Sequence, residues 1–243
     1  MPTCHYEILS IAQDADEKAI KKSYRKLALK YHPDKNQENL EQATEQFRFV
    51  QAAYECLSDP QERAWYDDHR DAYIKGFKHT GDSGEKYEED DTSHLFQYMT
   101  SLAFNGFDES ENKEKNFYTV YRKLFCSVDE EENGDYRASF GTSKSEWADV
   151  NEFYASWEAY VTNKTYGGAD HYDTRQAQDR RMRRAMEQEN QKVRDECKKK
   201  RNAAVRDLVR FVRKRDPRVI ARNAYRVFGK LKCCRSGIMC LIK

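Results

Sequence analysis

Two amphipathic stretches with helical periodicity lie in the first 60 residues of the chain. In the first, Ile20, Tyr24, Leu27 and Tyr31 recur at spacings of four, three and four, which places them on one face of a helix. Asp16 precedes this stretch and is its expected N-cap. The second stretch repeats the pattern at Ala43, Phe47, Val50, Tyr54 and Leu57. Two such helices can pack antiparallel and bury a small core.

Shorter helices are predicted on either side of this pair. Residues 6–9 form the expected first helix, and residues 61–67, which follow Pro60, form the expected closing helix. The predicted fold class is therefore all-α, with a four-helix unit over residues 3–70. Because 35% of all residues are charged, too little apolar material remains for one large core. We expect an elongated, modular and partly disordered chain.

The loop between the two long helices contains Tyr31-His32-Pro33-Asp34. Proline has no amide proton and disfavours the α conformation in the residue before it. The first helix should therefore end near Tyr31, and His32 should be extended. Such a rigid loop holds an imidazole and a carboxylate at a fixed offset from the basic helix before it, which suits binding to an acidic groove.

With its flanking helices, this loop resembles the signature of J domains over residues 3–70. The resemblance implies docking on a 70-kDa heat-shock chaperone and stimulation of that partner's ATPase. We therefore expect no enzymatic activity and no cofactor in this chain. Matching positions imply that the chaperone-facing residues are Lys21, Tyr24, Arg25, Lys26, His32, Pro33, Asp34, Asn36 and Phe47. A core position for the two aromatic residues, and plain solvated charge for the lysines, remain alternatives.

The middle of the chain is acidic and rich in aromatic residues. Residues 76–94 contain Gly, Ser and a run of like charges, which predicts a flexible linker. Three apolar clusters follow within residues 95–173, and the second and third have helical spacing. We expect their aromatic side chains to pack together as a small helical subdomain. A peptide-binding groove is the alternative.

Charge is distributed unevenly along the chain. Residues 1–75 carry 11 basic and 14 acidic residues, residues 76–173 carry 9 and 21, and residues 174–243 carry 23 and 7. A segment with 16 excess positive charges favours polyanions, of which RNA is the expected one.

The basic segment predicts one long helix over residues 174–216, because it has no internal Gly or Pro before Pro217. The expected RNA-binding and ribosome-binding residues are Arg180, Arg181, Arg183, Arg184, Lys198, Lys199, Lys200 and Arg201. Since the helix offers no aromatic residue there for stacking, binding should depend on phosphates and shape. A solvated spacer helix is the alternative.

Three blocks, within residues 147–157, 183–190 and 206–219, resemble J proteins of the DnaJ homologue subfamily C and, more distantly, the ribosome-associated protein zuotin. The resemblance implies a cochaperone that acts on 60S or pre-60S ribosomal particles and their rRNA, where it helps to recycle late assembly factors. We expect it in the cytoplasm, with the nucleus or nucleolus as further compartments. A general cytosolic J protein that delivers unfolded or nascent clients is the alternative.

The C-terminal residues 217–243 depart from that resemblance. Related proteins continue into zinc fingers with paired Cys and paired His, whereas no histidine follows His171 here. We therefore expect no zinc site and interpret these residues as a divergent basic tail. The seven cysteines have no disulfide-like spacing and should be free thiols. No apolar run reaches the roughly 18 residues of a membrane span, so no membrane partner is expected.

Overall fold

The computed structural model describes residues 4–78, 92–108, 114–132 and 137–225. Within these ranges the chain forms helices and turns and no strand, which confirms the all-α fold class. Most of the predicted linker (residues 79–91) and of the predicted tail (residues 226–243) lies outside the described residues. Two compact units divide the chain between Ala103 and Phe104.

In its described residues, the first unit contains five α-helices. They are α1 (His5–Ile8), α2 (Glu17–Lys30), α3 (Leu40–Ser58), α4 (Pro60–Lys78) and α5 (Ser93–Phe96). The predicted pair, α2 and α3, packs together, and α1 and α4 also pack on α3. This arrangement places the loop between α2 and α3 at one end of the unit's central helix pair.

Local chemistry sets the ends of these helices. The Asp16 carboxylate accepts a hydrogen bond from the Ala19 N–H (2.8 Å), which confirms it as the N-cap of α2. The last N–H of this helical turn, that of Tyr31, still bonds the Leu27 carbonyl (2.9 Å). Pro60 occupies the first position of α4, where its missing N–H costs nothing. This helix extends beyond the predicted residues 61–67, and no Gly or Pro interrupts it before Gly76.

The core of the first unit joins α1 to α4. The His5 N–H donates to the Tyr66 hydroxyl (3.0 Å), and the Tyr6 hydroxyl donates to the Asp67 carboxylate (2.7 Å). Burial lowers the pKa of His5 to about 4, because the charged imidazolium would lose its hydration. The largest buried apolar side chains of this unit include Tyr6, Leu9, Ile20, Val50, Leu57 and Tyr66.

The first of the three predicted apolar clusters is divided between the two units. Phe96 is buried in the first unit, where its ring lies 5.8 Å from Trp65 and 5.5 Å from His69. Phe104 belongs to the second unit, and its ring lies 5.0 Å from Phe117. The structure thus differs from the expectation that this cluster packs as a whole with the other two, because the beginning of the cluster packs on α4.

The second unit contains three long helices, α6 (Phe117–Glu131), α7 (Trp147–Glu158) and α8 (Arg180–Arg215). A further helical segment covers residues 217–225. The basic helix begins at Arg180 rather than at residue 174, because the Asp179 carboxylate caps it by accepting the Met182 N–H (2.6 Å). The C-terminal half of α8 packs against α7.

Aromatic rings fill the core of the second unit. The Phe125 ring lies 5.0 Å from Phe153 and 4.7 Å from Trp157, and Phe140 lies 5.0 Å from Phe153. From α8, this core receives Val205, Leu208, Val209 and Val212. The second and third predicted apolar clusters therefore pack together in this unit. Within the described residues, no helix combines the length and apolar character needed to span a membrane.

Candidate functional site

The loop after α2 is a single tight turn. His32 is extended, with φ −63° and ψ 131°, and residues Pro33–Lys35 form one turn of 3-10 helix. The His32 Nδ1 atom accepts a hydrogen bond from the Asp34 N–H (3.2 Å), and the His32 carbonyl accepts one from the Lys35 N–H (3.0 Å). The conformation predicted for the residue before proline is therefore confirmed.

Asn36 connects this loop to the end of α2. Its Nδ2 atom donates to the carbonyl oxygens of Lys30 (2.8 Å) and His32 (2.9 Å). The Lys30 carbonyl belongs to the last turn of α2 and the His32 carbonyl to the loop, so this one amide joins the helix end to the loop. Asn36, expected to face the chaperone, thus also fixes the loop on the helix.

The two titratable groups of the loop point outward. The His32 Nδ1 and Asp34 Oδ2 atoms are 3.7 Å apart, and the side chains are 45% and 88% exposed. The His32 ring lies edge-on to Phe47, with ring centroids 6.2 Å apart. The Phe47 ring therefore packs against the imidazole, and the polar atoms of His32 and Asp34 stay available for a partner.

The basic face of α2 lies beside the loop. Lys21, Arg25 and Lys26 are exposed. Tyr24 is half-buried and stacks on Tyr54, with ring centroids 4.1 Å apart. Tyr24 and Phe47 both keep part of their surface exposed, so neither is a fully buried core residue, and their role in facing the chaperone stays a prediction.

A second charged surface covers the N-terminal half of α8. Arg180, Arg181, Arg183 and Arg184 are all exposed, and none of them forms an ion pair with a described residue. Further along, Lys199 and Lys200 are exposed and Lys198 is half-buried. These seven residues remain candidates for binding a polyanion.

Arg201 does not belong to this surface. Its side chain is fully buried, and its Nη2 atom lies 2.6 Å from the Glu131 carboxylate. Its Nε atom lies 3.8 Å from the Glu132 carboxylate, which is itself buried. An arginine enclosed in this way cannot meet a phosphate in solution, so its inclusion among the RNA-binding residues is corrected.

The network around Arg201 joins three segments of the second unit. Glu132 accepts hydrogen bonds from the Thr162 hydroxyl (2.9 Å) and the Asn163 N–H (2.7 Å). Burial alone would raise the pKa of the Glu132 carboxyl, but hydrogen bonds from Tyr160 and its other neighbours, with the charge of Arg201, lower it. Burial also raises the pKa of Tyr160 to about 12. At neutral pH the Glu132 carboxyl group is therefore charged, and Tyr160 is a neutral hydroxyl that donates a hydrogen bond to it.

The sequence did contain a signal for the burial of Arg201. It precedes Val205, Leu208 and Val212 by four, seven and eleven residues, so it lies on the same stripe of α8 as these core residues. The prediction assigned Arg201 to the RNA-binding residues because of its charge, whereas its position in the helical repeat indicates a core residue.

Two models of protein families match this chain, one within each of its two units. The model of the DnaJ domain matches residues 4–67, which include α1, α2, the loop and α3. The chain belongs to the J-domain protein family. A second model, described as the zuotin-like zuotin homology domain, matches residues 116–220 of this J-domain protein, from the N-cap of α6 to the segment after α8.

Individual relatives give the same result. Human DnaJ homolog subfamily C member 21 is 49% identical over 227 residues, covering 90% of this J-domain protein and 41% of the relative. J protein JJJ1 of Saccharomyces cerevisiae is 30% identical over 263 residues, covering 90% and 44%. Chaperone protein DnaJ of Campylobacter jejuni is 43% identical over 117 residues, covering 48% and 30%. The J-domain protein thus spans less than half the length of these relatives.

Proposed function

We propose that this chain is a cochaperone that stimulates the ATPase of a 70-kDa heat-shock chaperone and is not itself an enzyme. The observation that carries the proposal is the loop of His32, Pro33 and Asp34, which two hydrogen bonds from Asn36 hold at the end of the basic helix α2. Membership of the J-domain family supports it.

The chemistry of the loop fits an acidic docking groove. Lys21, Arg25 and Lys26 supply exposed positive charge for encounter with the partner. Asp34 is 88% exposed and offers a carboxylate to a basic side chain of the partner, which fixes the orientation of the complex. Because the loop is held rigid, little conformational entropy is lost when it binds.

The experiment for this proposal is steady-state ATP hydrolysis by a purified 70-kDa chaperone, with the full chain added at increasing concentration. We expect stimulation by the native chain and loss of stimulation by His32→Gln. The matched control is Glu41→Gln, a change of an exposed residue outside the loop, which should leave stimulation intact. Equal stimulation by the native chain and His32→Gln would contradict the proposal.

We further propose that the chain acts in the cytoplasm on late 60S or pre-60S ribosomal particles, where it helps to release and recycle assembly factors. Support comes from the match to the zuotin homology domain and from the four exposed, unpaired arginines at the start of α8. Exposed cations of this kind bind the phosphates of a folded RNA, here rRNA. Binding should therefore weaken steeply as salt rises.

Sedimentation of the full chain with 40S, 60S and pre-60S particles, at low and moderate salt, tests this second proposal. The informative variant changes Arg180, Arg181, Arg183 and Arg184 to glutamine, and its control changes the same four residues to lysine. We expect selective 60S-class binding that the glutamine variant loses and the lysine variant keeps. Absence of binding, with ATPase stimulation intact, would favour the general client-delivery alternative.

The structure gives little support to that alternative. An unfolded client would need an exposed apolar surface, whereas Phe117, Phe125, Phe153 and Trp157 are all buried in the second unit. These four aromatic residues thus contribute to the stability of the second unit and not to a client-binding surface.

A further inference from the structure

A connecting segment, residues 162–176, runs along α8 in the opposite direction. We call this segment the strap. It contains two single turns of 3-10 helix, Gly167–Ala169 and Thr174–Gln176, and both lie against α8. Tyr166, with φ 55°, adopts the left-handed conformation just before the first of these turns. The N-terminal half of α8 therefore has a partner along one side.

Side chains of α8 fasten the strap at three points. The side-chain amide oxygen of Asn202 accepts the Thr162 N–H (2.8 Å). Arg194 forms a two-pronged ion pair with Asp170, in which Nε and Oδ1 are 2.6 Å apart. Asn190, which is fully buried, accepts the Tyr172 N–H (3.0 Å) and donates to the Tyr172 carbonyl (2.7 Å). The backbone of Tyr172 is thus held by both of its polar groups.

Holding the backbone in this way presents two aromatic side chains to solvent. Tyr172 is 48% exposed, and His171 beside it is also exposed. Neither side chain forms a hydrogen bond, ion pair or ring contact with any described residue. Since Tyr172 is held through its main-chain atoms, its ring contributes little to the attachment of the strap.

Arg183 lies on the same face of α8 as Asn190, the residue that holds the backbone of Tyr172. Arg183 precedes Asn190 by seven residues, which is two helical turns or about 10 Å along the axis. The two acidic residues between them already have partners, because Glu187 contacts Arg194 and Glu189 pairs with Lys192. An exposed aromatic ring with a fixed backbone therefore lies near an arginine that has no ion-pair partner among the described residues.

We propose that Tyr172 is a stacking platform for an unpaired RNA base while Arg183 holds an adjoining phosphate. This inference rests on the proposed binding of rRNA and makes it more specific. An aromatic ring beside a track of cations is the arrangement by which proteins bind single-stranded nucleic acid. A base inside a duplex has no free face, so the strap confers a preference for RNA with unpaired bases.

The test is fluorescence anisotropy of the full chain with a single-stranded RNA of about 12 nucleotides and with a duplex of the same length. Tyr172→Ala should weaken single-strand binding about tenfold, in the range known for one base stack, and leave duplex binding unchanged. Tyr172→Phe keeps the ring and should bind as the native chain does. A fluorescent adenine analogue in the strand should lose emission on binding the native chain and the phenylalanine variant only.

Two negative outcomes are distinguishable. If both RNAs bind in an arginine-dependent manner but Tyr172→Ala changes neither affinity nor quenching, the stacking inference is overturned and the proposed RNA binding stands. If neither RNA nor ribosomal particle binds, the proposed ribosomal function itself fails. Because the Tyr172 backbone bonds to Asn190 do not depend on the side chain, loss of folding is not expected in either variant.

Discussion

Replacing Arg201 with methionine separates a role in stability from a role in RNA binding. The native guanidinium is fully buried between Glu131 and Glu132. Methionine preserves the length of the aliphatic chain but removes the charge and its hydrogen bonds. Glu132, whose side chain is also fully buried, then keeps a negative charge without its positive partner.

The size of the effect follows from this desolvation. Removing one member of a buried ion pair costs about 3–5 kcal/mol, because the remaining charge is left uncompensated. For a unit of this size, that loss corresponds to a fall in Tm of about 10–20 °C. We expect no comparable change from Lys199→Met, since Lys199 is exposed on the same helix.

The assay is thermal and urea unfolding followed by tryptophan fluorescence in a Trp65→Phe background. Trp65 belongs to the first unit, whereas Trp147 and Trp157 belong to the second, so this background reports on the second unit alone. A double variant, Arg201→Met with Glu132→Gln, should recover part of the lost stability. Stability within 0.5 kcal/mol of native in Arg201→Met would refute the buried network.

Three further predictions follow from single side chains. Burial lowers the pKa of His5 to about 4, whereas an unfolded histidine titrates near 6.5. The first unit should therefore keep full stability above pH 6.5 and lose up to about 3 kcal/mol as pH falls toward 4. Urea titrations across this range should show a free energy of unfolding that does not change with pH in His5→Phe. Asn36→Ala should lower ATPase stimulation several-fold while circular dichroism stays unchanged, and unchanged stimulation would show that its two bonds to the helix end are dispensable. Asn190→Ala should make the strap susceptible to limited proteolysis near Tyr172 because it removes both bonds to that backbone; a cleavage rate equal to native would contradict the fastening.

Local patterns predicted much of the first unit. The spacing of Ile20, Tyr24 and Leu27, the cap at Asp16 and the stop at Pro33 each depend on neighbours within a few residues, and such signals are visible in the sequence alone. The position of the exposed loop followed from the same signals.

Longer-range pairings were not predictable in this way. Arg201 and Glu131 are 70 residues apart, and their ion pair depends on how α6 and α8 pack. The strap was missed for a similar reason, since no periodic pattern marks residues 162–176. Only the packed structure shows that Asn190 and Arg194 hold it. We expected no aromatic ring for stacking because the basic helix itself contains none there, whereas Tyr172 comes from the strap.

One stripe along α8 unites these features and sets a rule for the length of the helix. Asn190, Arg194 and Arg201 continue the line of Val205 and Leu208, with spacings of four, seven, four and three residues. One residue inserted between Asn190 and Arg201 would rotate one attachment point by about 100° relative to the other. The number of residues between these positions therefore fixes the direction in which each attachment point faces. Insertions of about seven or eleven residues would restore the rotational phase, but they would also move Asn190 about 10–17 Å further from Arg201 along the axis and so separate the attachment points of the strap.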